Sequence, residues 1–150
     1  MNYEVNCNTL ALIPISNNET KIIENNNTFN IKQSVFDIIK YSCEFFGSTY
    51  IGRKEGTKLL IGVTHKSPII IEESKGIIFF PTKSPRLGDC TWISLNNIKK
   101  YVRNNKKTII YFNNNKNIKI DISYGSFDNQ FLRATKLEYV LRKRIDTIMN

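Results

Sequence analysis

Two rhythms of apolar and polar residues run through this chain, one of period two and one near 3.6, and they mark out most of its elements. Thr9-Leu-Ala-Leu-Ile-Pro-Ile15 is a short apolar run that reads as a strand, with Pro14 restricting it to a sheet edge or a strand end. Lys21–Glu24 and Thr28–Lys32 flank Asn25-Asn26-Asn27, and this pairing predicts a β-hairpin. Ser34 then offers an N-cap, with Asp37 three residues on as in a capping box. Val35, Ile38, Ile39, Ser42 and Phe46 share one helical face, and Gly47 stands where a C-cap glycine belongs, so the spacing predicts a helix over 34–46.

Residues 47–57 read as a glycine-bearing loop. Lys58–His65 reads as a strand, His65-Lys-Ser-Pro68 as a break, and Ile69–Glu72 and Ile77–Phe80 as strands about a turn at Ser74–Gly76. The stretch from Thr82 to Thr91 has no periodicity and reads as a loop. Ser94 is read as the N-cap of a short helix to about Arg103. Thr108–Phe112 and Asn117–Ile122 form a second hairpin around Asn113–Asn115. The strongest helical pattern comes last: from a cap at Ser126, Phe127, Phe131, Ala134, Leu137, Leu141, Ile145 and Ile148 recur at three- and four-residue steps. These elements predict an α+β fold, a β-rich single domain over 1–150 made of short antiparallel strands and hairpins with about three helices, the longest at the C-terminus. A hairpin followed by a helix occurs in each half, which suggests pseudo-symmetric halves at roughly 1–57 and 58–150.

Charge changes the picture. Lys and Arg number 22 against 13 acids, a net charge of +9 with a sequence pI near 9.5. An excess of that size points toward nucleic acid or another anionic surface. Cys7, Cys43 and Cys90 are odd in number and irregularly spaced, which fits neither a disulfide framework nor a zinc site. No metal and no cofactor are expected. The opening Met1-Asn-Tyr-Glu-Val lacks a signal-peptide pattern, and the longest apolar runs are too short to cross a bilayer. A protein of a reducing compartment, free of membrane, is expected.

Candidate chemistry concentrates in Cys43–Thr57. Gly47, Gly52 and Gly56 frame Arg53 and Lys54, so cations stand where a backbone is free to approach a partner closely. Gly47-Ser-Thr-Tyr-Ile-Gly-Arg-Lys54 approaches a phosphate-loop motif and misses it: Arg53 holds the lysine position, no Ser or Thr follows to hold magnesium, and a helix precedes. A cysteine hydrolase built on Cys43 or Cys90 with His65 has no local signature. Trp92 reads as a buried ring rather than a base-stacking one, and Lys99-Lys100, Arg103 and Lys106-Lys107 as solvated charge. The cations beside loops rich in Gly, Pro and Ser are the binding candidates: Arg53, Lys54, Lys58, Lys66, Lys83 and Arg86.

Five stretches in order then resemble the ComK family of competence transcription factors: Cys43-x-Phe-Phe-Gly-Ser-x-Tyr-x-Gly-Arg-Lys-x-Gly-Thr57, His65-Lys-x-Pro-Ile69, Phe79-Phe-Pro-Thr82, Cys90-x-Trp-Ile-Ser94 and Tyr124-x-Ser-Phe-x-Asn-Gln130. The resemblance implies a non-enzymatic bacterial activator that recognises paired A/T-rich boxes in double-stranded DNA through the minor groove. It also implies homo-oligomers on DNA, control by an adaptor–Clp protease pathway, and a cytoplasmic, nucleoid-associated location. Family members commonly run on with a further C-terminal segment past the position of Asn150, and activation functions and adaptor-mediated turnover are the ones that this departure touches. A narrow A-tract groove attracts inserted arginines. Arg53 is the first candidate for insertion and Arg86 the second, with Lys54, Lys58, Lys66 and Lys83 on phosphates; Asn129 and Gln130 are outside candidates for base contact and equally plausible as caps inside the fold. A β-rich RNA-binding regulator is the alternative, ahead of a cysteine-dependent hydrolase.

Overall fold

The computed structural model describes residues 2–149. Strands β1 (Thr9–Ser16), β2 (Glu19–Glu24) and β3 (Thr28–Ile31) lead to helices α1 (Val35–Phe45) and α2 (Tyr50–Ile61). Strands β4 (Ile69–Glu72), β5 (Ile77–Pro81) and β6 (Trp92–Ser94) follow. A single 3-10 turn, Leu95–Asn97, then precedes β7 (Ile98–Asn104), β8 (Lys107–Phe112), β9 (Asn117–Ile120) and α3 (Tyr124–Met149). The first six strands form one antiparallel sheet in the order β3-β2-β1-β6-β5-β4, and the last three a second, β7-β8-β9. This is the α+β fold of antiparallel strands and three α-helices, the longest at the C-terminus, that the pattern predicts.

The apolar runs are continuous because the large sheet is covered on both faces. Phe79 faces a cluster with Val35, Ile38, Ile39 and Trp92, whereas its neighbours Ile78 and Phe80 face a second cluster with Ile110, Phe112, Phe127 and Leu137. So α1 covers one face, and α3 with the small sheet covers the other. Helix α2 lies along the β4 edge and touches both layers: Tyr50 packs on the first cluster, Leu60 and Ile61 on the second. Covering that edge also removes a row of unpaired strand groups.

Helix α1 keeps its reading closely. The Asp37 amide donates to Ser34 Oγ at 3.1 Å, and Gly47 takes φ +88° just past the last turn. The hairpins at Asn25–Asn27 and Asn113–Asn115 and the pair β4–β5 also stand where expected. Four expectations are corrected. The glycine loop is a helix: Thr49 caps α2 by accepting the Gly52 amide at 2.9 Å, and the helix runs through Lys58 to Ile61, where a strand had been expected. Gly52 and Gly56 therefore lie inside a helix, and the left-handed residue that ends it is Gly62, at φ +73°.

The second expected helix is the other misplacement, because Ser94 leads into one 3-10 turn and Lys99–Arg103 lie on β7. Helix α3 starts at Tyr124, before Ser126; the Ser123 hydroxyl accepts from the Ser126 amide at 3.2 Å. Finally, β1 is a central strand. It tolerates Pro14 because its neighbour β6 pairs only with Ala11 and Leu12, so the proline lies past the end of that ladder.

Candidate nucleic-acid interface

Segments distant in sequence meet at one groove of about 730 Å³ on the α1–α2 side of the large sheet. Helix α2 supplies Tyr50 and Lys54, the segment from α2 to β4 supplies His65, Lys66 and Ser67, and the β5–β6 loop supplies Arg86 and Leu87. Phe36, Cys90 and Trp92 contribute to its lining. The rings interlock edge to face: Phe36 and Tyr50 have centroids 4.9 Å apart, and Tyr50 and Trp92 6.5 Å. Trp92 is buried, as its reading has it. No Asp or Glu lines the groove, so Lys54, Lys66 and Arg86 act there without local neutralisation.

The segment carrying Lys66 is held in place from two sides. Lys66 adopts φ +49°, in the left-handed region that costs a side-chain-bearing residue roughly 1–2 kcal/mol. From α3, Gln130 Nε2 donates to the carbonyl of Lys66 and to that of Pro81, each at 2.8 Å, and Arg133 donates to the His65 carbonyl at 3.0 Å. From α2, the buried Thr57 hydroxyl donates to the Pro68 carbonyl at 2.6 Å. Ser67 lines the groove beside them with its Oγ buried and without a partner among the described residues.

The eight candidates from sequence divide accordingly. Lys54, Lys66 and Arg86 are brought together. Lys58 is exposed one turn further along α2, and Asn129 is exposed on α3. Arg53 sits in the first turn of α2, with its side chain only 16% exposed and its guanidinium 2.6 Å from Glu73. Lys83 holds Asp89 at 2.8 Å, which raises the lysine pKa and lowers that of the aspartate, and it faces a smaller cleft. Gln130 is buried and spends its amide on the Lys66 and Pro81 carbonyls.

Sequence reasoning passed over Phe36, Tyr50 and Ser67. Tyr50 is part of the Cys43–Thr57 stretch and was legible as an aromatic between two glycines. Nothing in the sequence brings Phe36 or Ser67 to its side.

Burial pushes the Cys43 and Cys90 thiols from 9.0 up to about 11, so both are protonated at neutral pH and poor nucleophiles. Burial likewise raises the Tyr50 phenol. The described residues contain no cluster of His, Cys, Asp and Glu able to hold a metal ion.

A family model described as ComK protein matches residues 1–146. The chain belongs to the ComK family. The "Competence transcription factor" of Bacillus subtilis (strain 168) is 38% identical over 148 residues, a match spanning 96% of this chain and 77% of that relative. That ComK relative is named as a transcription factor and not as an enzyme. No solved structure matches the chain. The stretches that carry the ComK resemblance converge in space. Tyr50, Lys54, His65, Lys66, Cys90 and Trp92 all line the groove, while Gln130 braces it from behind.

Proposed function

We propose that this protein is a competence-type transcriptional regulator that binds A/T-rich boxes of double-stranded DNA through the minor groove. One observation carries the reading: three of the five stretches that carry the resemblance to a transcription-factor family line one groove whose charged rim is entirely basic. Lys54 and Lys66, with Lys58 on the next turn, neutralise phosphates. Arg86, exposed in the β5–β6 loop and paired with no acid among the described residues, is the arginine best placed for insertion into a narrow, negative groove. Arg53 and Lys83 would contribute on releasing Glu73 and Asp89, Asn129 reads or spans from α3, and Gln130 serves by holding the Lys66 segment.

On the same reading the protein works in the cytoplasm at the nucleoid, in more than one copy on paired boxes. Turnover through an adaptor–Clp protease pathway belongs to this family-derived reading as well. Among the described residues no helix is long and apolar enough to cross a membrane.

A competition assay tests the proposal. The protein is bound to a labelled A/T-rich duplex and challenged with a minor-groove-binding dye, a G/C-rich duplex or single-stranded RNA. The dye should displace the protein, and the other two should compete weakly. Undiminished binding in the presence of saturating dye would remove the minor-groove reading, and preferential displacement by RNA would favour an RNA-binding regulator instead.

A further inference from the structure

From Cys90 to Ile120 the chain carries seven Lys or Arg and no Asp or Glu. That segment builds β6 and the whole three-stranded sheet. The sheet spends its inner face on the core, through Thr108, Ile110, Phe112, Ile118 and Ile120. Strand pairing fixes what the outer face carries, because directly opposed residues share a face and the side chains alternate. Lys100 stands opposite Tyr111, Asn104 opposite Lys107, and Ile109 opposite Lys119. Lys100, Lys107 and Lys119 therefore emerge on one side, all exposed, around the half-buried Val102, Ile109 and Tyr111.

None of these three lysines makes an ion pair among the described residues, whose ion pairs are Lys32–Glu19, Arg53–Glu73 and Lys83–Asp89. Lys100 is held with its Nζ 5.1 Å from the centre of the Tyr111 ring, which limits the side-chain freedom lost on binding an anion.

We infer that the outer face of the β7-β8-β9 sheet is a second, sequence-independent contact surface for the phosphate backbone of duplex DNA. The inference rests on the DNA-binding reading proposed for the groove and adds to it a separate surface. A flat sheet face cannot enclose a small anion, but it can lie along an extended polyanion. Lys100 and Lys107 are separated by four residues along the strand direction, about 14 Å at 3.4 Å per residue. That is about four steps of a duplex rising 3.4 Å per strand phosphate. The face carries no base-reading fork: its cations are lysines, which meet phosphates as point charges. The groove opens on the α1 side of the large sheet, whereas the small sheet packs on the opposite side. A duplex seated in the groove reaches the second face only by bending around the molecule; otherwise that face takes a separate segment.

The test is a salt titration of the intact protein and of the triple variant Lys100→Gln, Lys107→Gln, Lys119→Gln on A/T-rich and G/C-rich duplexes. The variant should lose roughly 0.9 in the slope of log K against log salt for each phosphate contact removed, up to about 2.7 in all. The loss should be the same on both duplexes, leaving their affinity ratio unchanged, and Lys→Arg at the same three positions should restore the slope. An unchanged slope in a variant whose parent binds DNA overturns this inference alone, and so does a loss confined to the A/T-rich duplex. A parent that binds no duplex overturns this inference and the groove reading together. Vesicles containing phosphatidylglycerol form the last arm: loss of vesicle binding with an unchanged DNA slope would make the face a membrane surface and overturn the inference.

Discussion

Gln130 is a buried polar side chain that joins the segment before β4 to the end of β5 through the two hydrogens of one amide nitrogen, given to the Lys66 and Pro81 carbonyls. Removing it leaves two carbonyls without those donors, that of Pro81 in a buried place. Gln130→Ala should therefore cost about 1–3 kcal/mol, read as a lower denaturant midpoint with an unchanged m-value. It should also weaken DNA binding without changing the exposed charge, because Lys66 loses the bond that holds its left-handed turn. A variant as stable as the parent would show that the amide does not hold these segments together. Sequence inspection named Gln130 as a base-contact candidate because a glutamine next to Asn129 on a helix carries no sign of which one turns inward. The answer depends on a segment some sixty residues upstream. The same blindness covers Arg53. Its cationic type was legible, but its ion pair with Glu73 joins α2 to the turn after β4, and no spacing rule records that.

Among the elements, α1 and the hairpins were legible because each buries one regular face or turns on an asparagine cluster. Helix α2 was not. Its only buried residue is Thr57, while Ile51 and Leu59 are exposed, so no apolar stripe marks it. Two glycines within the span argue for a loop on propensity alone. What forms the helix is the Thr49 cap, the Gly62 terminator and packing on the β4 edge.

The helical assignment can be tested at its glycines. A Cβ at Gly56 meets nothing within 4 Å, so Gly56→Ala should stabilise the protein by about 0.5–1 kcal/mol. Gly62→Ala should destabilise it by roughly 1 kcal/mol or more, since φ +73° disfavours a side chain. Thermal or chemical unfolding reads both, and a destabilising Gly56→Ala would favour the loop over the helix. Strand β7 escaped notice for a different reason. The bulge between Ile98 and Lys100 breaks the alternation just where two lysines imitate a solvated helix face.

For the whole molecule, the basic composition pointed toward nucleic acid or another anionic surface, and the fold shows how the charge is distributed. One basic set rims an aromatic-lined groove on the α1 side of the large sheet, and another lies on the small sheet packed against the opposite side. Between them runs a core assembled from both halves of the chain, since Leu10 and Ile23 share a cluster with Ile110 and Phe127. Chain order alone could not reveal the groove, because its walls come from the β1–β2 turn, the start of α1, helix α2, the segment before β4 and the β5–β6 loop, and meet only once the large sheet has ordered its strands. The sequence showed which residue types belong together, and the β3-β2-β1-β6-β5-β4 order brings them into one place.

The central claim is that the groove cations bind duplex DNA. Its most direct test is the affinity for an A/T-rich duplex across a salt series, comparing the intact protein with Lys54→Ala, Lys66→Ala, Arg86→Ala combined. The account predicts a slope shallower by up to about 1.8, roughly 0.9 for each of the two phosphates that Lys54 and Lys66 no longer neutralise. It also predicts a reduced preference for A/T-rich over G/C-rich DNA, through the loss of Arg86. A folded triple variant with the parent's slope and the parent's preference would contradict it.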